Sequence, residues 1–286
     1  MSIGREDVEF TSRGATLRGW LFRPGGGLPG PGVVMAPGFT AVREMFLDRY
    51  GEAFAAAGFS VLAYDHLGFG ASDGEPRQSP TPSIQLEGYR DAIGWLAREP
   101  SVDPARIGLW GSSFSGGEVI ILASEDLGIR CAVAQVPAFD ATALELSAAT
   151  LAAVGGAIEG GRLDDTVAAT SPTADGIGVM FADGADAWFA RVAAERAPSW
   201  RNEVRIGALT ELFRPIDHLA DAKVPLLLIV APADALTPPA AGIAAAAAID
   251  NVEVAEIEGG HFDAYEAGFA ASSEAAVDWF GRYLTA

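Results

Sequence analysis

The chain has 286 residues, half of them apolar, and 38 acidic against 19 basic side chains give it a formal charge of −19. Length and apolar content fit one large α/β core carrying an insertion and exclude a disordered chain. The negative balance would repel phosphate backbones and anionic lipid, so neither nucleic acid nor a membrane surface is an expected partner.

The single cysteine, Cys131, excludes an intrachain disulfide and a cysteine-based metal site, and its apolar surroundings predict a buried thiol. Residues 1–8 lack the apolar core of a signal peptide, and no apolar stretch reaches the length of a membrane span. A cytoplasmic protein is the expectation, with a homodimer as the base-rate oligomer.

In chain order, residues 8–23 alternate apolar and polar side chains around a Ser-Arg-Gly turn at 12–14, which predicts an antiparallel hairpin. A glycine- and proline-rich loop at 25–32 leads into a short buried strand at 33–36, ending at Pro37, Gly38, Phe39 and Thr40. Phe46, Leu47, Tyr50 and Phe54 then recur at helical spacing up to Gly58, a good stop. Residues 59–64 read as a strand, 65–74 as a glycine-punctuated loop, and Leu86, Tyr89, Ile93 and Leu96 as the apolar face of a helix.

A strand at 106–110 and an apolar helix at 119–123 follow. Further strands fall at 130–136, 224–230 and 251–257, and a last helix carries Val277, Phe280 and Leu284 on one face. Near-continuous apolar strands alternating with helices describe a mostly parallel sheet, opened by the antiparallel hairpin and covered by helices on both faces. In such sheets ligands sit beyond the carboxyl ends of the strands.

Residues 139–213 break the alternation. They are rich in Ala and Gly, hold Phe181, Trp188, Phe189, Trp200 and Phe213, and are too long for an ordinary connection. The expected organisation is an α/β core of residues 1–138 and 214–286 with a helical cap insertion at 139–213 folded over the strand ends. Its aromatics would either wall an apolar pocket or simply pack the cap on the body.

The stretch from Trp110 to Gly117 joins strand to helix through a sharp turn. A serine carried on such a turn needs small residues two before and two after it, and Gly111 and Ser115 frame Ser113 in that way. Ser112 would put Trp110 at a position demanding a small residue, and Ser115 falls too far into the helix. A serine hydroxyl needs a base and an orienting acid. Of three histidines, His261 follows the last predicted strand. His66 precedes the turn, and His218 comes before its nearest strand rather than after it. Asp234 follows the strand at 224–230 and lies between serine and histidine in the chain, whereas Asp263 is only two residues from His261.

Ser113, Asp234 and His261 in that order, with the Gly111-Ser112-Ser113-Phe114-Ser115-Gly116 turn and the Tyr64 to Gly74 loop, resemble the α/β-hydrolase superfamily over nearly the whole chain outside the insertion. Within it, the chain looks most like the dienelactone-hydrolase-like and polyketide-cluster serine hydrolase group. The resemblance implies an oxyanion hole formed by the backbone amides of Phe39 and Phe114, with no metal and no cofactor. Two departures stand out. Pro37-Gly38 replaces the His-Gly common after the third strand, and Ser113 stands where true dienelactone hydrolases carry cysteine.

The expected activity is cleavage of an ester, lactone or thioester through an acyl-serine, on a small-molecule acyl substrate with an apolar or aromatic group. An acyltransferase or thioester-releasing enzyme of a polyketide-type pathway is the alternative within catalysis. A non-catalytic ligand-binding protein on a hydrolase scaffold is the alternative outside it.

Overall fold

A computed structural model describes residues 3–25 and 29–285. Residues 1–2 of the amino-terminal stretch and 26–28 of the expected glycine-rich loop lie outside them. The hairpin forms from β1 (Gly4–Ser12) and β2 (Ala15–Arg23), turning through Arg13 and Gly14, both at positive φ. There follow β3 (Gly30–Ala36), α1 (Leu47–Ala56), β4 (Ser60–Tyr64), α2 (Pro82–Leu96), β5 (Val102–Ser112), α3 (Phe114–Ala123) and β6 (Cys131–Gln135). After them come α4 (Ala148–Glu159), β7 (Thr166–Val167), α5 (Ala185–Glu195) and β8 (Val204–Arg205). The chain closes with β9 (Leu226–Val230), α6 (Ala240–Ala246), β10 (Val252–Glu256) and α7 (Phe269–Leu284).

Eight strands make one sheet in the order β1-β2-β4-β3-β5-β6-β9-β10, parallel from β4 to β10, with β2 antiparallel to both neighbours. Side chains alternate between two cores, as the two-residue strand period requires. Val33 and Met35 of β3 join the cluster with Tyr50 and Phe54 of α1 and Phe280 of α7, whereas Val34 and Ala36 join Tyr89 of α2 and Val119 of α3. Both faces are therefore covered, which explains why the strands read as unbroken apolar runs. Cys131 is fully buried in the first core, and burial pushes its thiol up to about 12, leaving it inert.

Three expectations change in detail. The strand before the turn begins at Val102, because Gly30 already pairs with Val102 across an irregularity that skips to Gly32 and Ile107. Helix α6 was not expected, since an alanine-rich run has no apolar rhythm to reveal it. The run between β6 and β9 is less helical than its composition implies. It holds α4 and α5, but also the antiparallel pair β7-β8 and long irregular segments, and α4 leaves Leu151 and Ile158 exposed.

That run is tied to the body by polar contacts as well as by aromatic packing. Arg196 meets both carboxylate oxygens of Asp48 at 2.7 and 2.5 Å, and Ser199 donates to Glu44 at 2.7 Å. Glu211 accepts from the Ser83 amide at 2.6 Å and its hydroxyl at 2.8 Å, capping the first turn of α2.

The sharp turn depends on one glycine more than any other. A Cβ on Gly111 would stand 2.2 Å from the Ser115 carbonyl oxygen, a clash with backbone that no rotamer relieves. Gly111→Ala is expected to lower unfolding stability by roughly 1 to 3 kcal/mol through forced backbone shifts. Urea denaturation followed by far-UV circular dichroism reads that change.

Candidate active site

Ser113 sits between β5 and α3 with φ 59° and ψ −117°, a conformation that costs a non-glycine residue on the order of 1–3 kcal/mol and persists only where the surroundings impose it. They do so here. The Ser113 amide donates to the Gln135 carbonyl at 2.8 Å, and its own carbonyl accepts from Gly117 at 3.1 Å and Ala138 at 2.9 Å. The hydroxyl is left pointing past the carboxyl end of the sheet.

There it meets His261, whose Nε2 lies 3.0 Å from Ser113 Oγ, while Nδ1 lies 2.7 Å from Asp234 Oδ2. The three side chains are brought together from turns after β5, β9 and β10, each at a carboxyl end, and all are at most 8% exposed. Nδ1 donates to the carboxylate, which leaves Nε2 free to accept from the serine hydroxyl.

Asp234 is fixed in turn. Its Oδ1 accepts from the amides of Leu236 and Thr237 at 2.9 and 2.7 Å, and Oδ2 accepts from the Thr237 hydroxyl at 2.8 Å. Sequence reasoning missed Thr237, which also lies 3.1 Å from His261 Nδ1 and 3.0 Å from the Val136 carbonyl. The signal was present as Asp-x-x-Thr in a turn, where an aspartate accepts backbone amides two and three residues on.

The other candidates lie elsewhere. Ser112 is fully buried, with Oγ 2.5 Å from the Tyr265 hydroxyl and 3.1 Å from Gln135 Nε2. Ser115 is also fully buried, inside α3, and His66 stands 3.0 Å from it rather than from Ser113. His218 is exposed in the 3-10 turn Pro215–Asp221. Asp263 is occupied in its own turn, accepting from the Gly260 amide at 2.7 Å.

Phe39 follows β3 and Phe114 opens α3, so both backbone amides lie beside the serine turn. The Phe114 amide is in the first turn of a helix, where no intrahelical acceptor exists. Gly38 packs so closely that a Cβ there would be 2.8 Å from Ser113 Cβ, which holds the two loops in register. The Phe39 and Phe114 rings approach to 5.4 Å between centroids, and Phe114 stacks on Phe213 at 4.1 Å.

Two spaces meet at Ser113. One is a niche of about 20 Å³ between His261, Met45, Trp188 and Phe189; the other is a cleft of about 1250 Å³ bordered by Phe114, Phe213, Phe181, Leu144, Val179 and Leu209. Of the five aromatics noted between residues 139 and 213, Trp188 and Phe189 border the niche and Phe181 and Phe213 the cleft. Trp200 stacks behind Phe189 at 5.1 Å.

The family model of the X-Pro dipeptidyl-peptidases of the S15 family matches residues 14–206, more than half of the chain. The chain belongs to this family. Among relatives of this S15-family chain, the polyketide transferase grgF of Penicillium sp. is 39% identical over 142 residues, covering 49% of this chain and 48% of that protein. The thiohydrolase aneE of Aspergillus aculeatus is 42% identical over 137 residues, covering 48% and 42%. The chain thus spans about half the length of these two curated relatives. The crystal structure of the α/β hydrolase GrgF from Penicillium sp. sh18 superposes with a TM-score of 0.85 at 24% identity, covering 99% of this chain and all of that one. The S15-family chain has the α/β-hydrolase fold and is an enzyme of the serine hydrolase type. Among the described residues, no helix is long and apolar enough to cross a membrane.

Thr237 gives the site a direct test. Thr237→Val keeps the shape but removes the hydroxyl that Asp234 accepts, a loss of roughly 1 kcal/mol of orientation that should lower kcat about five- to tenfold with KM unchanged. Steady-state kinetics on a nitrophenyl ester measures it.

Proposed function

We propose that the enzyme cleaves a small-molecule ester, lactone or thioester with an apolar acyl group, with Ser113 as nucleophile, His261 as base and Asp234 as orienting acid. The observation that carries this reading is the unbroken contact from Ser113 Oγ through both nitrogens of His261 to Asp234, at 3.0 and 2.7 Å.

His261 Nε2 takes the hydroxyl proton as Oγ attacks the carbonyl carbon, and Asp234 stabilises the imidazolium that results. The amides of Phe39 and Phe114 receive the developing oxyanion, a contribution of about 3 to 4 kcal/mol per donor in comparable sites. His261 then returns the proton to the leaving oxygen or sulfur, and the acyl-serine remains. Water attacks that ester with His261 as base again. The niche beside His261 has room for roughly one water molecule, which supports this second half.

Residues 139–213 act in this reading as a cap over the core of residues 1–138 and 214–286. The aromatic and aliphatic border of the cleft favours a long apolar or aromatic acyl chain over a sugar. Transfer of the acyl group to an acceptor other than water is the second reading. It is supported by the name of the relative grgF, a polyketide transferase, and by a cleft large enough for acyl chain and acceptor together. The enzyme is read as acting in aqueous solution, with no part for nucleic acid or a membrane surface. In this reading the protein acts in the cytoplasm, as a homodimer.

The experiment is a panel of nitrophenyl esters of rising chain length, aryl esters, lactones, acyl thioesters and an Xaa-Pro nitroanilide, with and without an added alcohol or amine. Wild type is expected to prefer the longer and aromatic acyl groups. Ser113→Ala should lower kcat by about six orders of magnitude, as when one member of a linked triad is removed. Preference for short polar esters would contradict the cleft assignment, and near-normal turnover by Ser113→Ala would contradict the nucleophile. Cleavage confined to the Xaa-Pro substrate would replace the acyl reading with a peptidase one.

A further inference from the structure

Next to the serine turn, three buried polar side chains meet. Ser115 and Glu118 of α3 are fully buried, and His66, in the loop after β4, is 1% exposed. Ser115 Oγ lies 2.6 Å from the Pro37 carbonyl oxygen, 2.7 Å from Glu118 Oε2 and 3.0 Å from His66 Nε2. None of these groups takes part in the chemistry assigned to Ser113.

Counting hydrogens fixes their arrangement. A carbonyl oxygen can only accept, so at 2.6 Å the single Ser115 hydrogen must point at Pro37. No second hydrogen remains on Ser115 for Glu118, yet 2.7 Å between two oxygens requires one. It must sit on Glu118 Oε2. The His66 Nε2–H then donates into the remaining lone pair of Ser115, and Nδ1 carries none. The atoms left over agree: His66 Nδ1 and Glu118 Oε1 are buried with no partner among the described residues.

We infer that Glu118 is a positioning residue, held as a neutral carboxylic acid whose hydrogen bond to Ser115 keeps that hydroxyl latched on Pro37. The latch joins the helix after Ser113 to the loop that carries Phe39, and so sets the distance between nucleophile and oxyanion donor. The inference rests on the proposed assignments of Ser113 as nucleophile and Phe39 as an oxyanion donor.

The surroundings sustain the neutral form. Burial pushes the Glu118 carboxyl up to about 8, a rise limited by the Ser115 hydrogen turning toward the carboxylate once it ionises, and burial lowers the His66 imidazole to about 3. The other titratable groups facing Glu118 are Tyr64 of β4 and Tyr89 of α2, both raised well above the ordinary phenol value by burial and so protonated. When Glu118 ionises, its carboxylate claims the Ser115 hydrogen. Pro37 then faces a lone pair at hydrogen-bond distance, and the loop must shift.

The test compares wild type, Glu118→Gln and Glu118→Leu, with Ser113→Ala alongside. The glutamine amide donates to Ser115 at every pH. Glu118→Gln should hold kcat within about twofold of wild type at pH 7 and lose the fall in kcat that wild type shows as pH rises through about 8. Glu118→Leu should lose about tenfold in kcat with KM unchanged, since the site beyond the loop is intact.

A second readout does not depend on turnover. From about 4.5 to about 8 the folded chain keeps a proton that the unfolded chain has released. Wild-type stability should therefore fall across that window relative to Glu118→Gln, in thermal unfolding as a function of pH. This arm decides the matter if Glu118→Leu does not fold. An identical pH dependence of kcat and of melting in wild type and Glu118→Gln would overturn the latch. Full activity in Ser113→Ala would instead remove the nucleophile assignment on which it rests.

Discussion

The site depends on a backbone held where a serine would not rest unaided. Ser113 stands at φ 59°, and that conformation is imposed from both sides, by hydrogen bonds to Gln135, Gly117 and Ala138 and by the absence of a side chain at Gly111. The strain is small beside the packing around it, and its effect is geometric. It lifts Oγ out of the sheet toward His261 and places the start of α3 directly after it.

The remainder of the site is an answer to that placement. Parallel strands end at one edge, so the turns after β3, β5, β9 and β10 can each deliver one group without long loops. Asp234 is immobilised by two amides and a hydroxyl before it touches His261, so the imidazole tautomer is set by the fold rather than by the substrate. On the other side, Trp188 stacks on Phe262 at 4.4 Å, next to His261 in the chain, and ties the run between β6 and β9 to the histidine turn. The same run forms much of the cleft wall. The Ser113, His261 and Asp234 geometry and the cleft wall thus come from different parts of the chain, and one can vary while the other stays fixed.

The sheet and the serine turn were legible in the sequence because their causes are local. An unbroken apolar strand, a glycine two residues before a serine, and a histidine just after the last strand each state a steric or topological requirement in a few letters. Thr237, His66, Ser115 and Glu118 were not legible as a set. A polar residue in an apolar helix such as α3 has no periodic signature telling whether it faces solvent or a buried partner, and Glu118 meets His66 only through the sheet topology. The fine structure of residues 139–213 was hidden for another reason. Two-residue strands such as β7 and β8 are too short to show alternation, and an alanine-rich segment reads as helix whether or not it forms one.

The most direct test is the site of covalent labelling. A fluorophosphonate probe, followed by proteolysis and mass spectrometry, should place its adduct on Ser113 alone, and His261→Ala should slow that labelling strongly while leaving the fold intact. An adduct on Ser112 or Ser115, or ester turnover by a protein that the probe never labels, would contradict the account.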